Sequence, residues 1–369
     1  RLDQGGWPGG GSLDLTLAGA GNVLRREYSG GPDLNYLYDS ENRLRAADGL
    51  TLTRDAEGRV VSTADSGTVF GASYDAAGRL ASATYDNGAF TVNYTYDAGE
   101  DGTGLLTGVS DDLTGTAITF AYDDDRRLRT ATLPNGEVIT WTRDDAGRLT
   151  RLQSGHHVDL ALQYDPAGRI TRKELIAPLT AEEHLESGLD TWAYDAASQT
   201  SSAGHAFDAR GRAVATPEHA FAWDGAGRLT GADDATLSYN GLGQARTRAE
   251  GGAVTRFHYN QAIALAPPVA EQAEAGGQFV RYYVWTPEGR LLYLIDAPAG
   301  NAVRFYHCDQ VGSTLALTDA AGEVADAYAY DPYGGLLKHE GTSLQPFTFA
   351  GAWGVRREGD GGLYQMRAR

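Results

Sequence analysis

One seven-residue phrase constrains this chain more than anything else in it: aromatic-Asp-x-x-Gly-Arg-aliphatic. It stands as YDAAGRL at 74–80, YDPAGRI at 164–170 and WDGAGRL at 223–229, and as RDDAGRL, with an arginine in the first place, at 143–149. Its D-x-x-G-R kernel singles out Asp55, Gly58 and Arg59; Asp75, Gly78 and Arg79; Asp144, Gly147 and Arg148; Asp165, Gly168 and Arg169; Asp208, Gly211 and Arg212; and Asp224, Gly227 and Arg228. A short aspartate carboxylate accepts backbone N–H bonds across a type I turn, and glycine supplies the left-handed conformation that a three-residue hairpin loop needs. Asp then faces Arg as the first cross-strand pair and the aromatic faces the aliphatic as the next, so the two pairs lie on opposite faces of the ribbon. The flanks alternate accordingly: in FTVNYTYD, Val92, Tyr94 and Tyr96 share one face and Thr91, Asn93 and Thr95 the other. YDSENRL places Asn42 where glycine usually stands, a residue that tolerates that conformation. YDDDRRL places Arg126 there, which predicts a different loop for that hairpin.

The first position of the phrase marks a register along the whole chain: Tyr38, Arg54, Tyr74, Tyr96, Tyr122, Arg143, Tyr164, Tyr194, Phe207, Trp223, Tyr239, Tyr259, Trp285, Tyr306 and Tyr330. Such intervals fit one β-hairpin per unit, with a constant turn opposite a variable loop. A hairpin cannot bury an apolar face alone, so neighbouring units must pair laterally. The fold class read from this is all-β: antiparallel hairpins coiled into a long sheet, a solenoid or shell that closes or stays open as an incomplete hollow barrel. The 48 glycines and the excess of tyrosine over phenylalanine (20 against 10) suit many short strands joined by turns. Two segments read as helix instead. PLTAEEHLESGL has Thr180 as cap, Glu183 three residues on and Gly188 as stop, and VAEQAEAGG follows near residue 270.

A net charge of -18 repels phosphate backbones and anionic lipid, which argues against nucleic-acid binding. Cys308, the one cysteine, cannot form an internal disulfide and reads as a small hydrophobe. No apolar run approaches the roughly 20 residues a membrane helix needs. The chain opens without an initiator Met or export signal, and reads as a segment of a longer protein.

Four ordered motifs fill the C-terminal part: YHCDQVGSTLALTDAAGEV, YAYDPYGGLL, PFTFAG and GLYQMRAR. Together with the YD phrase they resemble the RHS/YD-repeat family of bacterial toxin-delivery proteins and animal teneurins, and this last part is similar to the RHS repeat-associated core. The resemblance divides the chain into a YD-repeat shell over 1–280 and a core segment over 281–369 continuous with the same sheet. It carries over, as core-segment positions, Tyr306, Asp309, Gly312, Ser313, Asp331, Pro332, Gly334, Gly351, Arg367 and Arg369. It implies a hollow β-shell that is itself non-enzymatic, secreted or at the cell surface, and that encloses or presents a C-terminal effector. The alternative it leaves is an extracellular adhesion or carbohydrate-binding module meeting a glycan or receptor. This sequence departs from the family in RREGDGGLY, where D-x-E-T-G-L-Y is common. The self-cleaving members carry their processing aspartate in a later D-P motif; Asp331 belongs to an earlier one and takes no catalytic role.

Other chemistry is thin. DSGT at Asp65 fits the aspartic-protease signature, but those enzymes need two carboxylates sharing a proton, and the second would have to come from another copy. There is no G-x-S-x-G elbow. On a strand the adjacent His156 and His157 point to opposite faces, as do His307 and Cys308, so neither pair makes a metal site. The acidic stretches from Asp97 and Asp123 lack EF-hand spacing, and GGGSLDL from Gly9 is not a tandem calcium repeat. Recurrent Tyr and Trp could stack on sugars, but cross-strand ladders explain them without a ligand. No catalytic, cofactor or metal residue is assigned.

Overall fold

A computed structural model describes residues 4–7, 11–97, 103–180, 191–359 and 362–366, and the regular structure among them is antiparallel β with three short 3-10 turns. The hairpin of Val158–Tyr164 and Ile170–Ile176 shows how the phrase folds. Gly168 N–H donates to the Asp165 carbonyl at 2.9 Å, Asp165 N–H donates to the Arg169 carbonyl at 2.9 Å, and Gly168 has φ +82°. Tyr164 pairs with Ile170 and Gln163 with Arg172, so the register shifts by one residue beside the corner. This is a type I turn closed by a bulge at a left-handed residue, the geometry glycine serves best.

The same turn forms where glycine is absent. Asn42 and Arg126 both have φ +63°, and Arg126 N–H donates to the Asp123 carbonyl at 2.9 Å. The different loop expected at Arg126 is therefore not what forms. The aspartate and the strand pairing set the corner, and the Arg126 guanidinium bonds the Thr103 carbonyl, which offsets the cost of its conformation.

VAEQAEAGG is also not helical: Pro268–Ala273 is a strand, and the Ala275–Gly277 turn has Gly276 at φ +81°. Ala273 N–H bonds the Gln278 carbonyl at 2.8 Å, so strand pairing overrides local helix propensity. The Thr180–Gly188 helix reading falls on 181–190, outside the described residues.

The chain forms two compact units. The first comprises Arg1–Thr68, Ser187–His258 and Glu271–Gln278. Its hairpins have small cores, such as Leu34, Tyr36 and Ala47, or Leu50, Leu52 and Val60. The second comprises Val69–Glu186, Tyr259–Ala270 and Phe279–Arg369, so the core motifs lie wholly within it.

In the second unit two runs of hairpins face each other across a large aromatic core. Phe90–Tyr96 alternates as its pattern demands, with Phe90, Val92 and Tyr94 buried. Phe279–Trp285 and Thr314–Thr318 instead bury successive residues, because both of their faces are covered. Tyr282 packs edge-on against Phe90 of the facing run, while its neighbour Tyr283 packs edge-on against Phe347. Buried tyrosine hydroxyls bond across the core: Tyr85 to the Tyr283 carbonyl at 2.9 Å, Tyr94 to the Trp285 carbonyl at 3.0 Å, and Tyr293 to Asp111 Oδ2 at 2.6 Å. Each satisfied hydroxyl avoids the cost of a bare polar group in the core.

Two corner glycines of this unit differ in surroundings. A Cβ on Gly168 would meet open space, whereas on Gly334, at φ +95°, it would fall 2.6 Å from the Phe349 ring. Gly168→Ala is expected to cost about 1 kcal/mol from backbone strain alone. Gly334→Ala is expected to cost about 2–3 kcal/mol because a packed ring must also move. Urea denaturation of both variants checks this; equal losses would refute the role of the ring.

Candidate functional site

The repeated corner is the element that recurs throughout the molecule, and its charges are shared between neighbouring hairpins. In each D-x-x-G-R corner the aspartate's Oδ1 accepts the arginine's backbone N–H and its Oδ2 takes the guanidinium; Asp75 and Arg79 do so at 2.9 and 2.7 Å. Arg59, Arg148, Arg169, Arg212 and Arg228 repeat the side-chain bond at 2.7–2.8 Å. At several of these corners the guanidinium also lies over the aromatic that opens the next: Arg79 over Tyr96 at 4.4 Å, Arg148 over Tyr164 at 4.9 Å and Arg228 over Tyr239 at 4.9 Å. Arg212 adds a bond to the Asp224 carbonyl at 2.9 Å. Asp75, Asp144 and Asp165 are held below the ordinary carboxylate range chiefly by the backbone N–H of their corner arginine.

The aromatic returns the contact. Tyr96 donates its hydroxyl to the carbonyl of Leu80, the residue after the previous corner's arginine, at 2.8 Å. Tyr164 does the same to Leu149 at 2.7 Å, Tyr239 to Leu229 at 2.6 Å, and Trp223, through its indole N–H, to Ala213 at 2.7 Å. Arg143, standing where an aromatic is usual, reaches the Leu128 carbonyl at 2.7 Å. Pairwise sequence reasoning missed this donor requirement. A signal for it was available: of the register residues only Phe207 lacks an N–H or O–H at its tip.

The core-segment residues converge in part. Asp309 caps its corner by accepting from Ser313 N–H at 2.9 Å, and Asp331 accepts from Gly335 N–H at 2.8 Å, each without the arginine. Pro332 and Gly334 complete the second of these turns, beside Phe349. Gly312 sits under Trp353, and Ser313 Oγ accepts from Ala350 N–H at 3.2 Å. Tyr306 bonds Gln345 at 3.1 Å, and Gly351 packs on Phe347, so PFTFAG lies against the strands that precede it. Arg367 and Arg369 lie outside the described residues.

Three metal-capable side chains meet between the two runs of this unit: Glu137, His157 and His307, with donor atoms within 4.8 Å of one another. His156 and His157 occupy a turn, not a strand, so alternation does not separate them; their ring centres are 3.9 Å apart. His157 Nε2 lies 2.9 Å from Glu137 Oε1. His307 is fully buried, with Nδ1 2.7 Å from Ser154 Oγ and Nε2 2.8 Å from Thr318 Oγ1. The donor set is of a kind that zinc accepts. Binding through His307 would displace one of those hydroxyls, and the bonds as they stand join the two runs. Burial, with the nearby histidines, pushes the His307 pKa down to about 3. Cys308 lies one residue on, its thiol pushed up to about 12 by burial.

In the first unit Asp65 is buried and gripped by Arg246, at 2.9 Å from Nη2 and 3.1 Å from Nε. Ser66 and Gly67 form the hairpin turn at φ +53° and +86°. A carboxylate paired with an arginine is not the pair of carboxylates facing each other that an acid protease needs.

The family model of the teneurin YD-shell matches residues 144–354, more than half of the chain. Among curated proteins, the double-stranded DNA deaminase toxin A of Burkholderia cenocepacia (strain H111) is 30% identical over 290 residues, 69% of this chain but 18% of that protein. The tRNA3(Ser)-specific nuclease WapA of Bacillus spizizenii is 24% identical over 170 residues, 44% of this chain and 7% of its own. Among solved structures, that of TcdB2-TccC3-Cdc42 aligns with 96% of this chain at a TM-score of 0.70 and 14% identity, covering 24% of its own length. That of TcdB2-TccC3 aligns with 97% at 0.62 and 16% identity. The fold is that of these shells, and the chain spans less than a quarter of each of these proteins.

Two expectations follow from the site. Tyr164→Phe keeps the ring under Arg148 and removes only the donor to Leu149, at a cost of about 1 kcal/mol read from urea midpoints; no change would mean the hydroxyl is idle. Unfolding frees a neutral His307 to take a proton below pH ~6.5, so stability falls as pH drops from there toward about 3 and levels off below. His307→Gln, uncharged throughout, should flatten that slope; parallel slopes in the two proteins would refute it.

Proposed function

The chain belongs to the teneurin YD-shell family, and from that premise we propose that it is a non-enzymatic wall segment of a secreted or envelope-associated bacterial RHS protein, which encloses or presents a C-terminal effector. The observation that carries this reading is the corner arrangement, in which arginines and tyrosines such as Arg148 and Tyr164, or Arg79 and Tyr96, tie neighbouring hairpins together. Rigidity of this kind serves enclosure, since a wall must resist local opening more than it must move. Motif aromatics such as Tyr96, Tyr164 and Tyr239, on which a glycan would stack, are engaged within the wall, where their rings meet arginines and their tips meet carbonyls.

The curated relatives support the toxin context. Two proteins named as a deaminase toxin and a nuclease share this region over 18% and 7% of their lengths, leaving their named activities room elsewhere. No helix among the described residues is long and apolar enough to cross a membrane.

The natural full-length gene product tests the proposal by limited proteolysis. Its C-terminal extension is expected to stay intact while the wall is folded, and to be cut at least about tenfold faster in a variant combining Tyr164→Phe with Tyr94→Phe, which weakens the wall at two bonded positions. Cleavage of the extension at one rate in both proteins would remove enclosure from the reading.

A further inference from the structure

Among the described corners, one keeps the arginine and loses the acid. Trp285–Leu291 reads WTPEGRL, with Thr286 where aspartate normally stands. The backbone is unchanged: Thr286 N–H bonds the Arg290 carbonyl at 2.8 Å, Gly289 N–H bonds the Thr286 carbonyl at 2.9 Å, and Gly289 has φ +85°. Thr286 Oγ1 even takes over one aspartate duty by accepting Arg290 N–H at 3.2 Å. A hydroxyl cannot neutralise a guanidinium, however, and among the described residues the Arg290 guanidinium has no carboxylate and no hydrogen-bond acceptor.

Other departures from the phrase run the opposite way or change both ends. Asp309 with Ser313 and Asp331 with Gly335 keep the anion and drop the corner arginine; backbone N–H groups serve both carboxylates, and Lys173 lies 3.7 Å from that of Asp309. At Asn240 and Gln244 both ends are amides, 2.9 Å apart. An arginine stays charged at any working pH, so its unpaired state at this corner has an energetic consequence.

Its surroundings direct that charge inward. The guanidinium carbon lies 4.9 Å from the ring centre of Trp141 and 5.9 Å from that of Trp353. It lines a cavity of about 170 Å³ with Phe120, Leu128, Ile139 and Cys308. Glu288 also borders the cavity, but it is exposed and forms no ion pair with Arg290. Apolar walls, two indole faces and one unmatched planar cation form a receptor for a flat apolar group bearing a carboxylate, which a guanidinium binds with two parallel bonds.

We propose that this cavity in the second unit binds a carboxylate attached to an aromatic or branched aliphatic body, held by Arg290 between Trp141 and Trp353. The carboxylate could belong to a free small molecule or to the end of a polypeptide. The proposal does not rest on the enclosure reading.

Benzoate, its uncharged analogue benzamide, and an acetylated peptide ending in Gly-Phe with a free carboxylate are the probes, read by tryptophan fluorescence and calorimetry. Saturable binding of benzoate or of the peptide is expected, with benzamide about tenfold weaker or worse. Binding of benzoate alone identifies a free acid as the ligand source, binding of the peptide alone a chain terminus, and either supports the site. Two variants must both abolish it. Arg290→Met removes the cation at similar volume, and Thr286→Asp restores the internal partner found at the other corners. Thr286→Asp should fold at least as stably as the parent, so its loss of binding cannot be ascribed to unfolding. Absence of binding by both acids, benzamide binding as tightly as benzoate, or undiminished binding by Thr286→Asp would each overturn the proposal.

Discussion

At four corners the arginine serves two hairpins at once, and the wall draws on that sharing. In Arg79, Arg148, Arg212 and Arg228 the guanidinium satisfies the aspartate of its own turn while its planar face covers the aromatic that begins the next. An exposed ion pair alone contributes little, because water competes for both partners. Set on an aromatic face and fixed by backbone bonds to the aspartate, the charge becomes a directional link, and each further hairpin adds another. This is why the phrase contains an aromatic, an acid, a glycine and a base together, rather than any one of them.

The reverse link explains the chemical identity of the aromatic. Tyr96, Tyr164 and Tyr239 each hand a hydroxyl proton to the strand before them, and Trp223 and Arg143 perform the same act with different groups. The position selects a reach and a donor more than it selects a ring. In the second unit the tyrosine hydroxyls at Tyr85, Tyr94 and Tyr293 extend that logic across the core, where His307 with Ser154 and Thr318 adds another polar join. The core motifs then close the outer face of their own strands with Phe347, which makes their successive residues buried instead of alternating.

Sequence reasoning succeeded where a residue answers to its immediate neighbours. The aspartates, glycines and arginines of the corners and the alternation of Phe90–Tyr96 follow from turn sterics and from the period of a strand. It went astray where a distant partner decides. Arg126 accepts a left-handed backbone because the flanking strands and Thr103 hold it there, and VAEQAEAGG is drawn into strand and turn despite residues that favour helix. The pattern predicts a strand for His156 and His157, which sit in a turn, and the approach of His157 to His307 spans residues far apart in the chain. Asp65 carried a motif suggestive of catalysis, and Arg246, unforeseen, turned it into a buried ion pair.

By itself the sequence determined an all-β protein of repeated hairpins, since the corner chemistry is local and each copy restates it. It also contained, unread, the substitution of Thr286 for an acid, whose meaning depends on what surrounds Arg290. Only the tertiary structure decided which guanidinium covers which ring, which carbonyl receives each tyrosine, and that Trp141 and Trp353 enclose an unmatched cation. Those relations join residues of different hairpins, and their strength comes from the exclusion of water, a property of packed surfaces and not of any stretch of chain.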